Sequence, residues 1–435
     1  MRKIIYTNKD HLFEELHRSD INQKPDVEIK INPKIKYQKH IGFGGALTDA
    51  ACITFNYLNK DNKKRYIDSY FSKEGLNYNL IRYPLGSCDF STHNYQYLET
   101  DNIDDLDISA DEDRIKMYKQ INNVQMDLSV FLVPWSPSAF MKTNNDMNHG
   151  GKLKPEYFDL WAKTMAKSAY LLKKQGINII SINTQNEPLA TQVWDSCIYT
   201  GKEEADFVYN HLLGALKEYG LSDLAIGVWD HNRDVLKERI DETFSNKLKP
   251  EDVECVFYHW YSKKDFEQLD YIHDKYPSLH LIMSEGCVEL LLDKDGQNSI
   301  GNFEHAEVYI HQIINDLNHY CEGYIDWNLS LDSRGGPNHV GNFCEAPIMI
   351  SENGEMKYMY SYYAIKHFSH FIMPGAYRIH CEINNEDIEL VSYLNPDKST
   401  VVIIYNKSND THYILNPLNK KEIVELLPHT IYTIL

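Results

Sequence analysis

From about residue 41 onward the chain alternates short apolar runs with longer segments in which apolar residues recur every three or four positions. The runs suit strands buried on both faces, and the longer segments suit amphipathic helices packed over them. Together they predict parallel strands joined by crossover helices. Eight runs stand out, at residues 41–45, 79–84, 129–135, 177–184, 224–229, 253–260, 279–284 and 323–329. The segment 155–175 shows the helical spacing well: Phe158, Trp161, Met165, Ala169 and Leu172 share one face, and Lys163, Lys167 and Lys174 lie on another. Gly176 then supplies a left-handed stop. Similar helices are expected at 203–219, 303–320 and 358–372. Eight such units predict an α/β protein built on a (β/α)₈ TIM barrel over residues 36–373.

After Pro374 the pattern shortens to β-branched and aromatic runs such as Val401-Val402-Ile403-Ile404-Tyr405, separated by Asn-Pro and Ser-Asn-Asp turns. Residues 374–435 are therefore expected to form a small antiparallel β-sandwich side domain. Residues 1–35 contain the alternating Val27-Glu28-Ile29-Lys30-Ile31 and are expected to add a strand to it.

Charge narrows the choice of partners. With 63 acidic against 44 basic residues the net charge is -19, which repels phosphate backbones, so no nucleic-acid partner is expected. No apolar stretch has the length of a signal peptide or a membrane span, which gives a cytoplasmic location as the expectation. The eight cysteines are dispersed without a CxxC pair and are read as free thiols.

In a barrel of this type the C-terminal strand ends carry the chemistry. Two glutamates stand there: Glu187 in Asn186-Glu187-Pro188 after the fourth run, and Glu285 in Ser284-Glu285-Gly286 after the seventh. Glycoside hydrolysis needs such a pair, one carboxyl protonated and one ionised. A lone Glu before Pro is equally a carboxylate facing a helix dipole, and Glu285 equally a buried ion-pair member with Arg82 as its partner. For Glu285 these readings merge, because a neighbouring arginine also keeps a nucleophile ionised. Gly42-Phe43-Gly44-Gly45 fails as a dinucleotide fingerprint, since Leu47 stands where the third glycine is needed. His259 has no metal partner at ligand spacing, so neither a metal nor a cofactor is expected, and activity is expected to survive chelation.

The motifs, taken in order, are Gly42-Phe43-Gly44-Gly45-Ala46-Leu47-Thr48-Asp49, Cys88-Asp89-Phe90-Ser91, Pro134-Trp135-Ser136-Pro137-Ser138, Asn186-Glu187-Pro188, His259-Trp260-Tyr261, Ser284-Glu285-Gly286, Trp327-Asn328-Leu329 and Gly335-Gly336-Pro337-Asn338. In these the chain resembles glycoside hydrolase family thirty, the family of the glucosylceramidases. The resemblance implies a retaining β-glycosidase acting on a β-glucoside or a glucosylceramide-like substrate. Glu187 would be the acid/base and Glu285 the nucleophile, about 5 to 5.5 Å apart, with Glu187 the weaker acid of the two at rest. It further implies that Asp89 holds distal sugar hydroxyls and Asn186 the 2-hydroxyl. Trp135, Trp260 and Trp327 would line the pocket, with His259, Tyr261 and Asn338 nearby and Arg82 in support. His339 and Val340 stand where many glucosylceramidases carry a tryptophan, which leaves the leaving-group preference open. A β-1,6-glucanase or β-xylosidase on the same machinery is the nearest alternative. A non-catalytic carbohydrate-binding barrel would require loss of a carboxylate, and both are present.

Overall fold

The computed structural model describes residues 3–17, 21–262, 264–290 and 299–435. All eight expected runs form strands, here β1 (Gly42–Ala46), β2 (Leu80–Leu85), β3 (Ser129–Pro134), β4 (Ile179–Asn183), β5 (Ala225–Asn232), β6 (Cys255–His259), β7 (His280–Glu285) and β8 (Gly323–Asp326). They close into one barrel in sequential order, β8 pairing in parallel with β1 through Gly323 opposite Gly42. Leu80, Phe131, Phe257, Ile282 and Ile325 fill the barrel interior, which is therefore a packed core.

The helices outside follow the sequence pattern. Helix Phe158–Lys174 buries Trp161, Met165, Ala169 and Leu172 and ends at Gly176, whose φ of 91° is the left-handed stop. The segment expected as a helix over 203–219 starts at Gly201. There Thr200 and Glu203 form a reciprocal cap, and the segment passes through a π-helical turn at Val208–Leu212 before ending at Glu218.

Beside the barrel lies a seven-stranded antiparallel sheet in the order Glu14–Glu15, Ile4–Thr7, Thr430–Ile434, Thr400–Asn406, Ile388–Leu394, Tyr377–Ile383, Ile29–Lys39. The leading segment thus supplies an outer strand at each side, and the second of these runs past residue 35 to Lys39. Side chains alternate across this sheet. Val401, Ile403 and Tyr405 join the barrel core, while Val402 and Ile404 face the hairpin His412–Leu415/Ile423–Leu426. Burial on both faces explains why 401–405 is apolar at every position. Helix Tyr360–Ser369 carries His367 to this seam, where its ring nitrogens meet the Thr433 and Thr7 hydroxyls at 2.8 Å each.

Candidate active site

Arg82 in β2 organises the barrel mouth. Its guanidinium is fully buried and donates to Asp230 Oδ1 at 2.7 Å and Asn186 Oδ1 at 2.6 Å, with Glu285 Oε2 at 3.3 Å. It also lies 5.1 Å from the ring centre of Trp135, which stacks on Trp327 with centroids 5.4 Å apart. Glu285 ends β7, and its other oxygen accepts from Tyr261 Oη at 3.0 Å. The next residue must be glycine: a Cβ on Gly286 would come within 2.6 Å of the Trp260 ring.

Asp230 and His231 both face this site, although neighbours on a regular strand point to opposite faces. A bulge in β5 makes this arrangement possible. Its register against β6 slips between Trp229 and His231, and Trp229 and Asp230 take positive φ values of 76° and 56°. The bulge sends Asp230 inward, where it also accepts from Ser284 Oγ at 2.6 Å and Asn183 Nδ2 at 2.9 Å. It turns His231 toward Glu187, leaving Nδ1 3.5 Å from Oε1. Glu187 itself has φ 47°, held by its backbone N–H donating to the Asp230 carbonyl at 2.9 Å, and Gln192 Nε2 donates to its Oε2 at 3.3 Å.

His259 bridges two carboxylates, with Nε2 3.1 Å from Asp230 Oδ1 and Nδ1 3.2 Å from Glu187 Oε1. Both partners are acceptors, so the ring that satisfies them is the imidazolium. Burial opposes that charge, but the carboxylates of Glu285, Asp230 and Glu187 outweigh it and hold His259 up to about 9. Burial pushes Glu187 upward as well, yet the His259 hydrogen bond and the His231 and His259 charges bring it down to about 2. Glu285 rests above the usual carboxylate range, because burial together with the Glu187 and Asp230 charges exceeds the pull of His259 and Arg82. Glu187 is thus lowered and Glu285 raised, the opposite of the order expected for the resting pair, and the His259 imidazolium lies one hydrogen bond from Glu187.

Glu187 and Glu285 line one cavity of about 210 Å³, together with Asp89, Trp135, Asn186, Tyr261 and Trp327. Three residues expected at the pocket, His259, Trp260 and Asn338, are not among those that line this cavity. Trp260 follows inward-facing His259 and so points to the opposite side, where its Nε1 donates to the Cys287 carbonyl and its ring packs on Tyr309. Asn338 folds its own loop, accepting from the backbone N–H groups of Val340, Gly341 and Asn342, and it is Asn342 that reaches Asp89 Oδ2 at 3.0 Å. His339 contacts the Ser91 carbonyl at 2.8 Å, away from the cavity wall.

The reading from sequence passed over Asp230, His231, Gln192 and Asn342. Asp230 could have been found, since an acid directly after an apolar run at a barrel strand end is the signal that marked Glu285. The others depend on a bulge and on loops whose path no local pattern reveals. Glu187, His231 and His259 also place three donor atoms within 4.8 Å of one another.

Residues 40–372 match the family model described as "Glycosyl hydrolase family 30 TIM-barrel domain", and residues 375–434 match the "Glycosyl hydrolase family 30 beta sandwich domain". A lysosomal acid glucosylceramidase of Mus musculus is 31% identical over 405 residues, spanning 88% of this chain and 78% of that protein. An endo-1,6-beta-D-glucanase of Trichoderma harzianum is 26% identical over 405 residues, 87% of this chain and 79% of that one. Among solved structures, SrfJ from Salmonella typhimurium superposes with a TM-score of 0.90 at 32% identity, covering 100% of this chain and 98% of its own.

Proposed function

The chain belongs to glycosyl hydrolase family 30, and from that premise we propose that it cleaves a terminal β-glucosidic bond with retention of configuration. Glu285 is the nucleophile and Glu187 the acid/base. The observation that carries this reading is the meeting of the two carboxylates at one cavity, with Arg82 and Tyr261 on Glu285 and His259 on Glu187.

Glu285 attacks the anomeric carbon while Glu187 protonates the leaving oxygen, and the proton reaches Glu187 across its hydrogen bond with His259. Water then enters on the same face, Glu187 removes its proton, and the covalent glycosyl-enzyme is released with the β configuration kept. Arg82 and Tyr261 supply positive charge and a hydrogen bond to Glu285 as it departs from the sugar. The Asn186 carbonyl oxygen is occupied by Arg82, which leaves its amide N–H groups for the 2-hydroxyl. Asp89 Oδ1 has no hydrogen-bond partner among the described residues and is available to distal hydroxyls. The stacked Trp135 and Trp327 offer apolar surface to the sugar ring.

At about 210 Å³ the cavity is below the roughly 300–1,000 Å³ of sites for drug-sized ligands, which favours one terminal sugar over a threaded glucan. The mouse relative supports a glucosylceramide-like or simpler β-glucoside substrate. The Trichoderma relative supports β-1,6-glucan as the second reading. Proton NMR of a chromogenic β-glucoside during hydrolysis tests the mechanism: the β-anomer of glucose should appear first, and first appearance of the α-anomer would overturn it. A panel of aryl β-glucosides, β-xylosides and β-1,6-linked disaccharides then separates the substrates, with the glucoside expected to be fastest.

A further inference from the structure

We propose that Glu187, His231 and His259 form a binding site for one borderline divalent cation of the zinc class, and that the bound ion shuts the pocket down. This goes beyond the hydrolytic reading, which needs no metal. Among the described residues no other three His, Cys, Asp or Glu donors gather in this way.

The geometry fits the ion. Glu187 Oε1 lies 3.2 Å from His259 Nδ1 and 3.5 Å from His231 Nδ1, and all three donors fall within 4.8 Å of one another. Zinc bonds of about 2.0–2.2 Å arranged tetrahedrally put neighbouring donors about 3.3–3.6 Å apart, which both Glu187–histidine pairs already approach, while the two histidine nitrogens, within 4.8 Å, have to draw together. His259 is already oriented as a ligand: its far nitrogen is bound to Asp230, which Arg82, Asn183 and Ser284 hold in turn. A carboxylate on the outer nitrogen of a ligating histidine fixes ring orientation and strengthens the donor. His231 Nδ1 is buried without a hydrogen bond to any described residue, an unmet polar atom that a cation would satisfy.

Access and chemistry agree with this. Glu187 and His231 line the cavity, so an ion can enter from solvent and keep its fourth position toward the substrate space. Two imidazoles and one carboxylate select zinc and its neighbours over magnesium or calcium, which prefer all-oxygen shells. The ion takes the place of the proton shared by His259 and Glu187, and that proton leaves to solvent. Glu187 then has its acting oxygen on the metal and can no longer protonate a leaving group. The site draws on β4, β5 and β6 at positions 187, 231 and 259, which is why no ligand spacing announces it in the sequence.

The test uses the full chain, stripped with EDTA, dialysed and titrated with zinc sulfate by calorimetry. One ion per chain should bind, and affinity should fall at least about tenfold in His231→Gln and in His231→Asn. In His429→Gln, where a surface histidine paired with Glu307 and Asn409 is changed, affinity should be unaltered. Cobalt(II) should give the intense visible bands of a four-coordinate site in the native protein, and lose them in His231→Gln while circular dichroism is unchanged. Zinc should also suppress hydrolysis of an aryl β-glucoside, and EDTA should restore it. Absence of stoichiometric binding, or binding that persists in both His231 variants, would overturn the site. Binding without loss of hydrolysis would overturn its inhibitory effect. Binding is read without substrate, so failure of the glucosidase reading leaves this result standing.

Discussion

His259 at the barrel mouth and His367 at the seam with the side sheet are both fully shut off from water. His259 lies between two carboxylates and is held up to about 9, whereas His367 lies between two threonine hydroxyls and burial drives it down to about 3. Burial opposes the charge in both places, so the partners decide the outcome. At the mouth the two carboxylates favour a charged ring beside Glu187. At the seam the protein keeps a neutral ring that ties the adjacent inner strands Ile4–Thr7 and Thr430–Ile434 to helix Tyr360–Ser369. One region should answer to perturbation with rate and the other with stability.

The largest separation is expected from the carboxylates. Glu187→Gln should slow hydrolysis of an unactivated β-glucoside by about 10²–10⁴-fold, and Glu285→Gln by at least as much, with the melting temperature nearly unchanged. Near-normal rates in either variant would sink the assignment. Asp230→Asn should blur the division, because Asp230 anchors both Arg82 and His259. Breaking that buried pair is expected to cost about 3–5 kcal/mol in urea unfolding as well as rate. Loss of rate at full stability would show that Arg82 keeps its place through Glu285 and Asn186 alone.

At the seam, His367→Ala opens a cavity and takes one hydrogen-bond partner from each of Thr7 and Thr433, and should cost about 2–4 kcal/mol in the same unfolding assay. Its kcat should be unchanged at temperatures where the variant is folded; a fall in kcat there would show that the seam couples to the mouth. The smallest effect is pH-dependent. Folded His367 stays neutral down to about pH 3 while the unfolded chain takes up a proton near 6.5, so its contribution is complete above pH 6.5 and shrinks as pH falls. Between pH 6.5 and 5 the loss is about 2 kcal/mol. His367→Gln keeps hydrogen-bonding groups without titrating, and its stability should fall by correspondingly less over that interval. Parallel stability curves for the two proteins would mean that His367 is already charged in the fold.

Much of this was legible in the chain because burial on both faces forces a strand to be apolar throughout. All eight barrel strands lie within a few residues of their runs, and Glu187 and Glu285 stand out as acids where such runs end. The period of two was also available at His259-Trp260-Tyr261, where it turns Trp260 away from its neighbours. What stayed hidden was the bulge at Trp229–His231, which depends on pairing with β6 and not on any residue preference, and with it the placement of Asp230 and His231. The protonation of the site was hidden for the same reason, since it is set by contacts between separate strands.

The antiparallel pairing of Ile4 with Ile434 and of Tyr6 with Tyr432 bears on how the molecule is made. Closing a loop that contains the entire barrel costs entropy that grows only as the logarithm of its length, so the final sheet loses little by it. The delay, however, is unavoidable. On a ribosome the barrel can assemble strand after strand from local contacts, while Ile4–Thr7 must wait for its second partner, Thr430–Ile434, which is synthesised after every barrel strand. Until then it presents an unpaired edge, and a nascent chain stalled before residue 430 is the species most exposed to pairing with the wrong neighbour.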